Sequence, residues 1–143
     1  MSTRAEAILL TKQASVPELV NEKIPCSLRD EPGKNRFELE CYVAKTHGER
    51  MQGLMGIQYL SSAEGMLFVY NEPVMNSFWM KNTSLPLTII WFDGDRRYLG
   101  HTAMQPFSTS NYYPPSPFVY ALEILTKTAE ELDLGYGTVL ELQ

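Results

Sequence analysis

Leu87-Thr88-Ile89-Ile90-Trp91-Phe92 decides the fold, because it is the most apolar run with strand character in the chain. Asp93-Gly94-Asp95 follows it. Aspartate and glycine tolerate the positive φ that tight hairpins demand, so a turn is predicted there. Tyr98 to Met104 is then expected to return antiparallel. Immediately upstream lies Ser77-Phe78-Trp79-Met80-Lys81-Asn82-Thr83-Ser84-Leu85-Pro86, with aromatic, cationic, amide, hydroxyl and proline chemistry in ten residues. Phe78 to Lys81 reads as a strand with Phe78 and Met80 on one face and Trp79 and Lys81 on the other. Asn82 to Ser84 reads as a loop.

Working outward, Phe37-Glu38-Leu39-Glu40-Cys41-Tyr42-Val43 alternates with period two. That pattern predicts a strand burying Phe37, Leu39, Cys41 and Val43. Thr46-His47-Gly48-Glu49 has the form of a capping box. A short helix is expected from His47 to about Leu54, ended with the help of Gly53 and Gly56. Met51, Leu54 and Met55 sit at helical spacing and are expected to touch the core. Gly65 to Tyr70 is apolar on both faces, as in a strand covered on both sides. Asn71-Glu72-Pro73 reads as a turn. The run from Pro106 to Pro117 holds prolines 106, 114, 115 and 117 and is expected to form a long surface loop. Val119 to Leu125 reads as a strand. Thr128-Ala129-Glu130-Glu131 reads as a second capping box, with its helix stopping at Gly135, and Thr138 to Leu142 as the last strand. Residues 1–36 are expected to be an N-terminal extension packed on the domain, with Ile8-Leu9-Leu10 and Val16 to Val20 as short strand or turn pieces and a hairpin-like turn near Pro32. Residues 37–143 are expected to form one domain.

Three blocks carry a family resemblance. Glu49-Arg50-Met51-Gln52-Gly53-Leu54-Met55, Gly65-Met66-Leu67-Phe68-Val69-Tyr70 and Phe78-Trp79-Met80-Lys81-Asn82-Thr83 resemble, in order and spacing, the signature of domain-of-unknown-function family 192, an uncharacterised bacterial and archaeal family. The resemblance covers roughly residues 37 to 142. It implies a compact, mainly β, barrel-like domain with an antiparallel or mixed sheet and two short helices. It implies no activity. It does imply that an exported, periplasmic or envelope origin is open, although the first twenty residues lack the ~7–15-residue apolar core of a signal peptide.

Composition narrows the function classes. The formal charge of −5 argues against a general nucleic-acid or anionic-membrane surface. No apolar run approaches the ~18 residues of a spanning helix. His47 is placed in a helix's first turn and His101 alone on a strand, and no zinc-type spacing occurs. Neither a phosphate-loop nor a dinucleotide glycine fingerprint is present, and no serine-nucleophile elbow. No cofactor is expected. Cys26 and Cys41 could pair in an oxidising space or stay separate. The reading prefers separate thiols, with Cys41 buried and Cys26 more accessible.

What remains is a polar set among apolar neighbours: Arg50, Lys81, Asn82, Thr83, Asp93 and Glu123, with Trp79 as an apolar wall. Glu123 interrupts Tyr120-Ala121-Leu122-Glu123-Ile124-Leu125, and a charge there is costly unless paired. Arg50 is the expected partner, in a network near Lys81. Such residues more often clamp helix and loops to a sheet. The functional alternative is a small cleft whose cations hold an anionic or carbonyl ligand. Two functions stay open. One is a non-enzymatic ligand- or protein-binding accessory domain, with the aromatic loop Tyr112-Tyr113-Pro114-Pro115 as a protein-binding surface. The other is a small hydrolase-like or transferase-like enzyme using Lys81, Arg50 and Glu123.

Overall fold

The computed structural model describes residues 16, 20, 22–30 and 34–143. Its elements are β1 (Lys23–Arg29), β2 (Arg36–Ala44), α1 (His47–Gln52), β3 (Glu64–Val74), β4 (Leu87–Phe92), β5 (Tyr98–Met104), β6 (Phe118–Leu125), α2 (Thr126–Glu130) and β7 (Val139–Leu142). The strands form one sheet in the order β5-β4-β6-β3-β2-β1-β7. β2 and β3 are parallel, joined by the crossover that contains α1. The remaining neighbours are antiparallel. The sheet curls so that its two edges touch at one corner: the Tyr98 amide donates to the Thr138 carbonyl at 3.1 Å, and the Leu140 amide to the Arg96 carbonyl at 2.9 Å. Among the described residues the result is a mainly β half-barrel with two short helices, as the family resemblance implied.

Every residue of β4 is buried. A strand buried throughout needs cover on both faces, and two apolar clusters supply it. Leu87, Ile89 and Trp91 join Met66, Phe68, Phe118 and Ala121 in one. Ile90 and Phe92 join Leu39, Cys41, Leu67, Leu122, Ile124 and Leu140 in the other. Of the residues expected to be buried on β2, Leu39, Cys41 and Val43 are, whereas Phe37 is only half-buried beside the second cluster.

Several local expectations are corrected. Residues 23–29, expected in an extension, are β1, held between β2 and β7. Pro25 and the turn cluster beyond Arg29 disguise that strand in the sequence. Ile8-Leu9-Leu10 and Pro32 lie outside the described residues, but Asp30 donates to Asn35 at 3.0 Å where β1 turns into β2. Val16 and Val20 are buried in the first cluster. Asn71-Glu72-Pro73 does not turn the chain. β3 runs on to Val74 through an irregularity in its pairing with β6, since Pro73 lacks the amide a regular ladder needs. Phe78 to Lys81 makes only an isolated bridge, Phe78 to Tyr112, although Phe78 and Met80 are buried and Trp79 and Lys81 exposed as the alternation required. In the β4–β5 turn the positive φ falls on Arg96, at 65°, while Gly94 keeps an ordinary value. The first capping box forms between Thr46 and Glu49, and α1 ends at Gly53 with φ 51°. The second does not form: α2 starts at Thr126, and the buried Thr128 hydroxyl donates to the Ser62 carbonyl at 3.2 Å.

Cys26 and Cys41 form a disulfide, which corrects the expectation of separate thiols. The β1–β2 register sets Cys26 against Leu39 and Cys41 against Ile24. The cysteines are therefore diagonal neighbours, with Cα atoms 6.0 Å apart, a normal disulfide span. Both are buried, so Cys26 is not the accessible thiol expected. The double substitution Cys26→Ala with Cys41→Ala is expected to cost about 3 kcal/mol, from loop-closure entropy restored to the unfolded chain. Urea unfolding of the two proteins checks this, and an unchanged midpoint would refute it.

Candidate functional site

α1 is too short to stand alone and is held by its caps and by the sheet beneath it. The capping box fixes its start, and the Arg50 side chain reaches back over the sheet. Arg50 Nη1 donates to the Lys45 carbonyl and, at 3.1 Å, to the Val69 carbonyl. Its guanidinium carbon lies 4.6 Å from the centre of the Tyr70 ring. The segment 76–83 crosses the other side. It is tied to the proline-rich loop by Phe78–Tyr112 pairing at 2.9 and 2.7 Å and by the Met80 amide on Ser108 at 2.9 Å. Phe68 packs edge-on to Phe78, with centroids 5.1 Å apart.

Between these pieces is a pocket of about 140 Å³. Phe68, Phe78 and Met80 contribute apolar wall, Arg50, Tyr70 and Thr83 polar wall, and Glu123 its carboxyl. Glu123 is 4% exposed. Its ladder neighbours are Met66 on β3 and Ile89 on β4, both wholly buried. Among the described residues no hydrogen bond or ion pair reaches its carboxyl. Burial therefore pushes its pKa from the ordinary 4.5 up to about 8. Tyr70 is raised as well, first by burial and then by Glu123, with Arg50 opposing.

The expected Arg50–Glu123 ion pair is thus absent among the described residues, because backbone carbonyls and the Tyr70 ring hold Arg50 instead. Arg50, Trp79, Thr83 and Glu123 share the pocket. Thr83 is buried and donates to the Lys81 carbonyl at 3.1 Å. Lys81 is exposed and outside the lining, its ammonium 5.2 Å from the Trp79 ring centre. Asn82 shapes a turn with φ 55°, and its carbonyl accepts from Gly56 at 2.9 Å. Asp93 is remote from the pocket and caps the β4–β5 turn by accepting from the Asp95 and Arg97 amides at 2.9 and 3.0 Å. Met51, expected against the core, is 60% exposed beside the pocket.

His47, Tyr70, Asn76 and Ser77 also line the pocket and escaped the sequence reading. His47 was legible in principle, since it stands three residues before Arg50 and shares its helix face. Among the described residues no three His, Cys, Asp or Glu side chains converge as a metal site would require.

The family model for domain-of-unknown-function family 192, described as uncharacterized ACR, matches residues 28–142. The chain belongs to domain-of-unknown-function family 192. The match begins inside β1, in keeping with that strand's place in the sheet. The fold is shared with a candidate transcription regulator from Sinorhizobium meliloti, with TM-score 0.80 and 28% identity over 85% of this chain and 94% of that one. It is shared too with a protein of unknown function from Novosphingobium aromaticivorans, with TM-score 0.77 and 31% identity over 83% of this chain and 84% of that one. No curated protein matches. In this family 192 chain, the three blocks that carry the family signature meet at the pocket: Arg50 comes from the first, Phe68 and Tyr70 from the second, Trp79 and Thr83 from the third.

Proposed function

We propose that the domain is a non-enzymatic module that binds a small polar molecule in the pocket between α1, β3, β6 and the 76–83 segment. One observation carries the reading: the Glu123 carboxyl is buried in the pocket with no partner of its own among the described residues. A buried polar group left without a partner is costly, and a ligand that supplies the partner recovers that cost. Arg50 strengthens the reading. Its Nη1 is committed to carbonyls, while Nε and Nη2 have no acceptor among the described residues. The buried disulfide supports an oxidising setting, as in an envelope or a secreted protein. The regulatory role suggested for the Sinorhizobium neighbour finds no support in the charge of −5, which disfavours DNA contact.

The enzymatic reading rests on the raised Glu123 pKa, which suits a general acid. It asks for Lys81 in the same cleft, and Lys81 is outside it. A thermal-shift screen of organic acids, amines, amino acids, sugars and nucleosides tests the binding reading. A true ligand at about a hundred times its Kd adds roughly 2.7 kcal/mol of stability. It should raise the Tm of the native protein and leave Glu123→Leu unmoved. A panel without hits, or hits that Glu123→Leu retains in full, would overturn the proposal.

A further inference from the structure

The pocket presents two groups of opposite chemistry that do not neutralise each other. The Arg50 guanidinium is fixed by the Lys45 and Val69 carbonyls and stacked on Tyr70. Glu123 sits between Met66 and Ile89 in the sheet. Tyr70 lines the same pocket as both. The titratable groups lining the cavity are His47, Arg50, Tyr70 and Glu123. An anionic ligand alone would satisfy Arg50 and leave an ionised Glu123 without a counter-charge. A cationic ligand alone would do the reverse and bring a second positive charge toward Arg50. From this we infer that the ligand is a small zwitterion, an amino acid or ω-amino acid, whose carboxylate meets Arg50 and whose ammonium meets Glu123.

Size and walls agree. A pocket of about 140 Å³ is close to the ~150 Å³ cavity that accepts a benzene-sized guest. That room suits a few carbons between two charged ends. Phe68, Phe78 and Met80 face those carbons. An arginine fork matches a carboxylate in two-point geometry. An ammonium supplies the hydrogen-bond donors that a carboxylate accepts. The chemistry of binding is a proton exchange. The ammonium stabilises ionised Glu123, and the proton that Glu123 carried leaves to solvent.

This inference rests on the proposed binding role, so its test separates the two. Isothermal titration of the full chain would use L-alanine, L-leucine, β-alanine and γ-aminobutyrate. Propylamine and butyrate serve as half-ligands, and glycerol as a neutral control. At least one zwitterion should bind more tightly than both half-ligands. Its affinity should rise about tenfold per pH unit from about pH 6 toward pH 8, because one proton is released on binding. Glu123→Gln should weaken it roughly tenfold to a hundredfold, the scale of one charge-assisted hydrogen bond, and flatten its pH dependence. Arg50→Gln should weaken zwitterion and butyrate alike while sparing propylamine. Circular dichroism on each variant confirms that it is folded before its affinity is read.

Zwitterions that bind no better than propylamine or butyrate would overturn the inference. So would an affinity that is flat with pH, or no binding by any zwitterion. If a sugar or nucleoside from the wider screen still loses its thermal shift in Glu123→Leu, the binding role survives and only the zwitterion is refuted. If no ligand from either experiment responds to Glu123, both fail.

Discussion

Phe68→Ala is expected to destabilise the domain by about 3–5 kcal/mol, the range for removing a buried aromatic from a close-packed site. Phe68 is 1% exposed and lies mid-strand on β3, in the cluster that includes Met66, Ile89 and Phe118. Its ring meets Phe78 edge-on at 5.1 Å. It also passes under the end of α1, where a Cβ on Gly53 would stand 3.6 Å from the ring. One side chain therefore supports the helix terminus, the 76–83 segment and the sheet at once. Truncation leaves a hole continuous with the pocket. Urea unfolding measures the loss, and a value below about 1 kcal/mol would mean that these pieces do not lean on Phe68.

The parts of this fold that were legible are those whose signal is local. The alternation of Phe37 to Val43, the unbroken apolar run of Leu87 to Phe92 and the Thr46–Glu49 capping box each announce an element within a few residues, and each is present. What was hidden depends on pairing across the chain. β1 carries a proline and a weak pattern, and it is a strand because β2 and β7 flank it. The disulfide follows from that register, so missing β1 meant missing the bond. The second capping box shows a local signal overruled by packing, since burial turns Thr128 toward Ser62. At the site, the sequence exposed Glu123 as an acid in an apolar strand and placed Trp79 and Thr83 in a meaningful stretch. It could not show where the Arg50 guanidinium would go. Backbone carbonyls are invisible to residue-type reasoning, and Lys45 and Val69 supply them. Gly65 is a further case. A Cβ there would lie 2.9 Å from the Glu123 carbonyl, so the close approach of β3 to β6 that seats Glu123 depends on a residue that reads only as a strand start.

Stability is expected to fall as pH rises from about 5 to about 8.5, and Glu123→Gln is expected to remove most of that fall. The carboxyl's pKa rises from 4.5 to about 8 in the folded chain through burial. The folded state therefore holds a proton that the unfolded state has released. The stabilisation from this group is complete below the unfolded value and is lost as pH passes up through the folded one. Each pH unit between the two values removes about 1.4 kcal/mol. From about pH 5 to about pH 8.5 the loss is on the order of 4 kcal/mol. The other ionisable groups of the chain add their own pH dependence. The informative quantity is thus the difference in unfolding free energy between the native protein and Glu123→Gln, measured in urea at each pH without added ligand. The amide fills the same space and does not titrate. The native protein's relative stability should decline steadily across the window, with the steep part ending near the folded pKa. A difference that stays flat would mean that Glu123 is ionised in the folded chain, and so has a partner. A difference that grows with pH would mean that the partner is a cation strong enough to hold the carboxyl below its ordinary value. Either result would remove the unpartnered carboxyl on which the binding role and the zwitterion both stand.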